Sequence, residues 1–200
     1  MKNIAFRVDA GPEIGIGHLM RCLALANAFP DESRIVFISK PKSSVIKNMD
    51  ATRYNMVYVP EDISYEEEIE FVKEVLDEYE IDIFIGDTYQ VNSSPDIDQN
   101  YLSEIEKIVK KTVMISPKVS LSISPDVVIN GNVFATKLQY KRLSDHTEFL
   151  IGPEYVLLRE EFQDLPDRDI EGEVNHILVT MGGSDPANLI PKVIGAMKCI

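Results

Sequence analysis

The chain has 200 residues, of which 20 are basic and 33 are acidic, so its formal net charge is −13, and 44% of its residues are hydrophobic. This composition is typical of a folded globular protein and excludes an intrinsically disordered chain. The acidic balance argues against nonspecific binding to nucleic-acid phosphates. No apolar run approaches the roughly 18 residues of a membrane span, and two cysteines indicate neither a disulfide framework nor a metal site. We therefore expect a cytoplasmic protein with no nucleic-acid partner and no membrane span.

Apolar runs alternate with helical patterns through the first 162 residues. These patterns predict strands at 4–8, 34–39, 54–59, 81–86, 112–116 and 126–130, and helices at 18–29, 43–48 and 97–109. Nearly continuous apolar strands separated by helices are typical of a parallel sheet that is covered on both faces. The predicted fold class is therefore α/β, with a doubly wound parallel sheet over residues 1–162.

Residues 61–80 form a strongly acidic segment, with ten acidic side chains and the single base Lys73. Ile69, Val72, Leu76 and Tyr79 recur within it at helical spacing, which predicts one apolar stripe and a charged outer face. We interpret this segment as a solvated amphipathic helix. An acidic docking surface is the alternative.

A polar segment at 163–175, containing Pro166 and Gly172, predicts a linker. After it, the pattern of strand, glycine-rich turn and helix begins again, with a strand at 176–181 and a helix at 189–199. One strand and one helix cannot bury their own apolar surface. We therefore expect residues 176–200 to be the first β-α unit of a second domain, whose remainder lies beyond Ile200 or is replaced by a partner.

The loop after the first strand is the richest candidate site. In an open parallel sheet, ligands bind beyond the carboxyl ends of the strands, and here Arg7 and Asp9 lie at such an end. Gly15 and Gly17 allow a tight turn and close approach of a ligand to the backbone. His18 follows in the first turn of a helix, where free N–H groups favour an anion.

Arg21 lies one helical turn after His18. Its charge and the helix terminus together should favour the neutral form of the imidazole, which is suited to accepting a proton from water. A structural role for His18 in capping the helix is the alternative. The glycine spacing lacks the third glycine of a dinucleotide fingerprint, and no Gly-Lys-Ser/Thr sequence completes a phosphate loop, so a nicotinamide cofactor is disfavoured.

Motifs along the whole chain carry a family resemblance. They are RVDA at 7–10, EIGIGH at 13–18, MRCL at 20–23, GDTY at 86–89, NGN at 130–132, GPEYVLLREEF at 152–162 and MGGSD at 181–185. In this order they resemble the UDP-sugar hydrolases of the pseudaminic acid pathway, which are related to the spore coat polysaccharide biosynthesis protein SpsG. Each motif alone would be weak, but their shared order makes the match specific.

The resemblance implies a fold of two Rossmann-like domains facing each other across a cleft, as in type B glycosyltransferases. It implies hydrolysis of a UDP-linked 2,4-diacetamido-2,4,6-trideoxy sugar to UDP and free sugar, with neither metal nor cofactor. By similarity, His18 matches the residue proposed to activate the attacking water, and Tyr89 matches a tyrosine of the sugar site.

Further site residues follow from their positions in predicted loops. Substrate-binding candidates are Arg7, Asp9, Gly15, Gly17, Arg21, Asp87, Asn132 and Arg159. Asp9 alternatively braces its turn, and Arg159 alternatively pairs with Glu160 or Glu161. The turn that opens the second unit predicts a cradle for the diphosphate, made by Gly182, Gly183, Ser184 and Asp185.

The resemblance fails after the fifth strand, where Ser116, Pro117 and Lys118 replace an acidic pair of the family. This departure leaves other nucleotide sugars open as substrates. A glycosyltransferase of the same fold and a catalytically silent nucleotide-sugar-binding module are the alternative functions. Since uridine recognition in this fold belongs mostly to the second domain, we expect the 200-residue chain alone to have little or no hydrolase activity.

Overall fold

The computed structural model describes residues 1–11, 14–40, 53–87, 99–115, 123–140, 144–162, 165–166, 176–182, 185 and 187–197. Seven parallel strands form one sheet in the order β3-β2-β1-β4-β5-β6-β7. They are β1 Asn3–Val8, β2 Arg34–Ser39, β3 Asn55–Tyr58, β4 Ile83–Asp87, β5 Lys111–Ile115, β6 Val127–Asn130 and β7 Glu148–Ile151. The sheet confirms the predicted doubly wound α/β class.

Helices cover both faces of the sheet, as the apolar character of the strands predicts. These helices are α1 Gly17–Asn27, α2 Tyr65–Glu78 and α3 Gln99–Ile105, and a further helix without buried residues, α4 Ile190–Met197, follows later in the chain. Leu19, Cys22 and Ala26 of α1 pack against one face of the sheet. Helices α2 and α3 pack against the opposite face, so the core consists of two apolar layers separated by the sheet.

Helix α2 confirms the amphipathic interpretation of the acidic segment. Ile69, Val72 and Leu76 are buried, whereas nine of the ten acidic side chains between 61 and 80 are exposed. Ser64 begins the helix with a capping box, because its hydroxyl accepts the N–H of Glu67 while the Glu67 carboxylate accepts the N–H of Ser64. The one buried acid, Glu68, is discussed below.

Two strand predictions need correction. The sequence patterns do not predict β7, which is a short strand at the sheet edge. Conversely, the predicted strand at 176–181 is wrong, because these residues are not in a strand and Leu178 is 88% exposed. An apolar run needs a neighbouring strand to pair with, and the described residues provide none there. The predicted helix at 43–48 lies outside the described residues, as does most of the predicted linker.

The strand order reverses direction between β1 and β4. Strand β2, the next strand after β1, lies on one side of the pair formed by β1 and β4, and β5, the next strand after β4, lies on the other side. The crevice opened at such a switch point is the usual ligand site of a doubly wound sheet. Val8 and Asp87 are direct partners across this pair, which places the ends of both strands at one crevice. Among the described residues, no helix is long and apolar enough to cross a membrane.

Candidate active site

The loop after β1 closes on itself before α1 begins. The N–H of Gly15 donates to the carbonyl oxygen of Gly11 at 2.6 Å, and the reverse hydrogen bond is 3.3 Å long. Gly15 has φ +79°, in the left-handed region that favours glycine. Helix α1 then begins at Gly17 without a side-chain cap, so His18 occupies its first turn as predicted.

His18, Arg21 and Asp87 form one hydrogen-bonded group at the switch point. The Nδ1 atom of His18 lies 2.7 Å from Oδ1 of Asp87. Arg21 donates from Nε to Oδ2 and from Nη2 to Oδ1 of the same carboxylate, each at 2.5 Å. The two basic side chains lie three residues apart on one face of α1, and the acid comes from the end of β4.

Burial sets the electrostatics of this group. Asp87 is 1% exposed, and burial alone would raise its pKa, but the hydrogen bonds from Arg21 and His18 outweigh burial and lower it. Asp87 is therefore ionised at neutral pH and neutralises much of the Arg21 charge. The positive charge of Arg21, which the sequence places near His18, is thus paired with the carboxylate of Asp87.

Cys22 lies beside the same carboxylate, with Sγ 3.5 Å from Oδ2 of Asp87. Burial raises the pKa of the Cys22 thiol well above its usual value, and the nearby anion raises it further. The thiol is therefore protonated and unreactive, which agrees with its interpretation as a small core residue.

A second polar group is buried at the carboxyl ends of β1 and β2. Arg7 is fully buried and contacts Asp9 through Nη1 at 2.6 Å and Glu68 through Nη2 at 2.8 Å. The Nζ atom of Lys40 lies 3.0 Å from Oε2 of Glu68, and the Lys40 N–H donates to Asp9 at 2.9 Å. We call Arg7, Asp9, Lys40 and Glu68 the buried ion cluster. It contains two cations and two anions, so its formal charges balance.

Burial alone would raise the pKa of Asp9, but Arg7 and the Lys40 N–H lower it below its usual value. Its Oδ2 atom is buried and has no hydrogen-bond partner among the described residues. Asp9 thus links the carboxyl ends of β1 and β2, through Arg7 and the N–H of Lys40. Substrate contact by Arg7 or Asp9 stays a prediction, and the proposals below do not depend on it.

Sequence reasoning missed Lys40 and Glu68. Glu68 lies four residues before Val72, on the buried side of α2, so a carboxylate at this position of the apolar stripe was a detectable signal. Lys40 follows the apolar run of β2 directly. Only the strand order reveals that it faces the same cluster as Arg7.

Asn132 lies near the site, on the loop after β6. It donates from its backbone N–H and from Nδ2 to Oδ1 of Asn130, at 3.2 and 2.7 Å. Asn130 in turn donates to the hydroxyl of Tyr140 at 2.7 Å. This chain of hydrogen bonds fixes Asn132 beside Arg21, with which it lines a cavity.

Arg159 lies in a different place. It contacts Glu161 at 2.6 Å, its guanidinium stacks 4.8 Å above the ring of Phe162, and it lines a groove together with Met20 and Arg53 on the outer side of α1. The pairing with Glu161 is one of the alternatives left by the sequence. A role of Arg159 in substrate binding stays a prediction.

The second unit is described only in part. Gly182 has φ +79°, and both carboxylate oxygens of Asp185 accept N–H groups at the start of α4, from Leu189 at 2.8 Å and Ile190 at 2.9 Å. Asp185 therefore caps this helix itself. Tyr89, Gly183 and Ser184 lie outside the described residues. Within the described ranges, no group of three or more His, Cys, Asp or Glu side chains is arranged to hold a metal ion.

The fold defines the class of this protein. It is similar to MurG of Acinetobacter baumannii, with a TM-score of 0.51 at 9% sequence identity, over 74% of this chain and 44% of that one. The chain is thus a Rossmann-like α/β protein with a fold like one half of a type B glycosyltransferase.

Sequence comparison narrows the class. The chain is 28% identical over 94% of its length to the UDP-2,4-diacetamido-2,4,6-trideoxy-beta-L-altropyranose hydrolase of Campylobacter jejuni, and 26% identical over 97% to SpsG of Bacillus subtilis. It is also 27% identical over 96% to an uncharacterized protein of Methanocaldococcus jannaschii. These homologues confirm the resemblance carried by the motifs. No family model matches the chain.

The chain spans 39% of the length of the archaeal relative, 54% of SpsG and 62% of the hydrolase.

Proposed function

We propose that this chain carries the water-activating half of a metal-independent hydrolase, which splits a UDP-linked diacetamido-trideoxy sugar into UDP and free sugar for surface-glycan biosynthesis. The homologues support nucleotide-sugar chemistry, since one is named as such a hydrolase and another for spore coat polysaccharide biosynthesis. The observation that carries the proposal is the hydrogen bond between His18 and buried Asp87 at the switch-point crevice.

In this proposal the hydrogen bond favours the imidazole tautomer that a general base needs. An ionised carboxylate only accepts, whereas Nη2 of Arg21, which lies 3.0 Å from the same Nδ1 atom, only donates. The contact with Asp87 is shorter, at 2.7 Å, so the proposal places the proton of the neutral imidazole on Nδ1, toward Asp87. The lone pair of His18 is then on Nε2. Asp87 also stabilises the imidazolium that forms when this nitrogen takes up a proton. Asp87 thus positions the base, whereas the sequence analysis predicts that it binds substrate.

The proposed step balances as a single displacement. The oxygen of a water molecule bonds to the anomeric carbon while His18 Nε2 takes one of its protons. The bond from that carbon to the diphosphate oxygen breaks, and its electron pair leaves with UDP. Attack opposite the leaving group inverts the anomeric configuration. Contact of Tyr89, Arg159 and residues 182–185 with the substrate stays a prediction.

Substituting His18 by asparagine in the full-length protein tests the role of the base. Positioned general bases contribute roughly 10²- to 10⁴-fold, so we expect kcat for UDP release to fall by at least about 100-fold with little change in KM. The measurement is UDP release from a panel of UDP-amino sugars, followed by an enzyme-coupled assay. His146→Asn is the matched control, because His146 is exposed in a separate loop.

Asp87→Asn tests whether Asp87 orients the imidazole of His18 or only stabilises the fold. We expect the pH dependence of kcat to change together with the imidazole tautomer, which ¹⁵N NMR of His18 reports. Unchanged turnover in His18→Asn would remove His18 from the mechanism. Release of UDP that requires an added sugar acceptor would instead support glycosyl transfer, which the fold likeness to MurG makes the second candidate.

A further inference from the structure

A chain of side-chain hydrogen bonds runs from Tyr140 to Asn132 through Asn130, which is the last residue of β6. Asn130 is buried, and its Nδ2 group donates to the hydroxyl oxygen of Tyr140 at 2.7 Å. Its Oδ1 atom accepts both the backbone N–H and the Nδ2 group of Asn132, at 3.2 and 2.7 Å. The displacement step proposed above uses neither Asn130 nor Tyr140, although both support a residue at the carboxyl end of the sheet.

One backbone group fixes the orientation of both amides. The N–H of Asn132 can only donate, so the Asn130 atom that faces it is the oxygen and not the amino group. The amino group of Asn130 therefore faces Tyr140, and the group of Asn132 that meets the Asn130 oxygen is its own amino group. The oxygen Oδ1 of Asn132 thus lies on the side of its amide that is turned away from Asn130.

The sheet holds Asn130 in place. Its carbonyl oxygen accepts the N–H of Gly152 at 3.0 Å, next to the parallel pairing of β6 with β7. A Cβ atom at Gly131 would lie 2.5 Å from Cα of Val156, so the residue after Asn130 packs directly against neighbouring backbone. The segment at 130–132 is therefore fixed by backbone contacts, and the side-chain contacts of Asn130 start from a rigid support.

Asn132 lies where a positioned acceptor can act on a ligand. It lines a cavity of about 90 Å³ together with Arg21, Tyr155 and apolar residues at the ends of β5 and β6 and at 156–157. Arg21 belongs to the hydrogen-bonded group that contains the proposed base, so this cavity adjoins the switch-point crevice. Arg21 can only donate, whereas Oδ1 of Asn132 can only accept, so the two residues offer opposite hydrogen-bonding groups to a bound molecule.

We propose that Asn130 and Tyr140 are positioning residues, which direct Oδ1 of Asn132 toward the substrate as an acceptor for one of its hydroxyl or N–H groups. The Tyr140 hydroxyl holds the amino group of Asn130 away from Asn132. Without this partner, the amide of Asn130 loses a contact that favours its orientation, and Asn132 can turn its oxygen inward. This inference rests on the proposed function, since the UDP-linked sugar is the molecule that Asn132 contacts.

Binding to full-length protein that carries His18→Asn tests this inference without turnover. The probe is the UDP-linked 2,4-diacetamido-2,4,6-trideoxy sugar, titrated by isothermal calorimetry. Tyr140→Phe removes one oxygen atom and keeps the ring that packs against Phe149, and we expect Kd to rise about three- to tenfold, as for the loss of one hydrogen bond. Tyr58→Phe is the matched control and should leave Kd unchanged, because Tyr58 is exposed on β3 at the opposite edge of the sheet.

A double-mutant cycle separates positioning from a purely structural role. We expect Asn132→Leu to raise Kd by itself and Tyr140→Phe to add no further increase in that variant, since the hydroxyl acts only through Asn132. Asn100→Leu is the control for the asparagine replacement, because Asn100 is exposed on α3. Additive increases in Kd would overturn the inference, as would an unchanged Kd in Tyr140→Phe.

The proposed function and this inference fail in different ways. A non-additive cycle in a protein that releases no UDP when His18 is intact refutes the proposed function alone. Release of UDP together with additive changes in Kd refutes the inference alone. A full-length protein that does not bind the UDP-linked sugar contradicts both.

Discussion

Replacing Glu68 by alanine tests whether the buried ion cluster is a single electrostatic unit. Glu68 is 1% exposed and contacts Arg7 at 2.8 Å and Lys40 at 3.0 Å. Its removal leaves two buried cations facing one anion, Asp9. The cluster then carries an uncompensated positive charge. Arg7 and Lys40 are buried from solvent, and Asp9 is the one carboxylate left among the described residues of the cluster.

The expected loss follows from this geometry. Removing one partner of a buried ion pair typically costs about 3–5 kcal/mol, because the remaining charge keeps its desolvation penalty. Glu68 has two such contacts, so we expect the free energy of unfolding to fall by an amount in this range. Glu68→Gln keeps the side-chain volume and removes only the charge, and it should show most of the same loss.

Urea unfolding followed by circular dichroism measures both variants. Glu70→Ala is the matched control, because Glu70 is an exposed residue of the same helix that pairs with Lys73 at the surface. The reasoning requires Glu68→Ala to be at least about 2 kcal/mol less stable than Glu70→Ala. Equal stability of the two variants would refute it, since the cluster would then be solvated or uncoupled.

Two further predictions concern acid and packing. The folded state lowers the pKa of both Asp9 and Asp87, so their stabilisation is complete above their unfolded value of about 3.9 and is lost as the pH falls below it. The free energy of unfolding should therefore fall steeply below about pH 4, and Asp87→Asn should flatten that dependence; an unaltered slope in the variant would contradict the prediction. Gly131→Ala should destabilise the protein by about 1–3 kcal/mol in thermal unfolding, because the new Cβ collides with the backbone of Val156, whereas Gly195→Ala meets open space and should be neutral or stabilising; equal melting temperatures would contradict the packing argument.

The central part of the fold was predictable because its strands are continuous apolar runs. Strands β1, β2 and β4 are buried on both faces, which gives a signal that does not depend on neighbouring elements. Strand β7 has no such signal, since it is four residues long and only partly buried at the sheet edge. The run at 176–181 is the opposite case, because an apolar sequence forms a strand only where another strand can pair with it.

The candidate site was predictable as separate loops and not as contacts. His18 and Arg21 are recognisable from their place after β1, because glycines and a helix start surround them. Their partner Asp87 lies 66 residues after Arg21, and its orientation toward α1 depends on the pairing of β1 with β4. Sequence spacing contains no information about this pairing, so the contacts of Asp87 with His18 and Arg21 could not be predicted.

Asp87 links the two basic side chains of the candidate site physically. Its carboxylate lies 2.7 Å from Nδ1 of His18 and contacts Arg21 through both oxygens, and the two basic residues lie on one turn of α1. Replacing Asp87 therefore removes a contact of both side chains at once. Under the proposed function, Asp87→Asn should change the orientation of His18 and of the Arg21 guanidinium together, whereas His18→Asn should leave the contact between Asp87 and Arg21 in place.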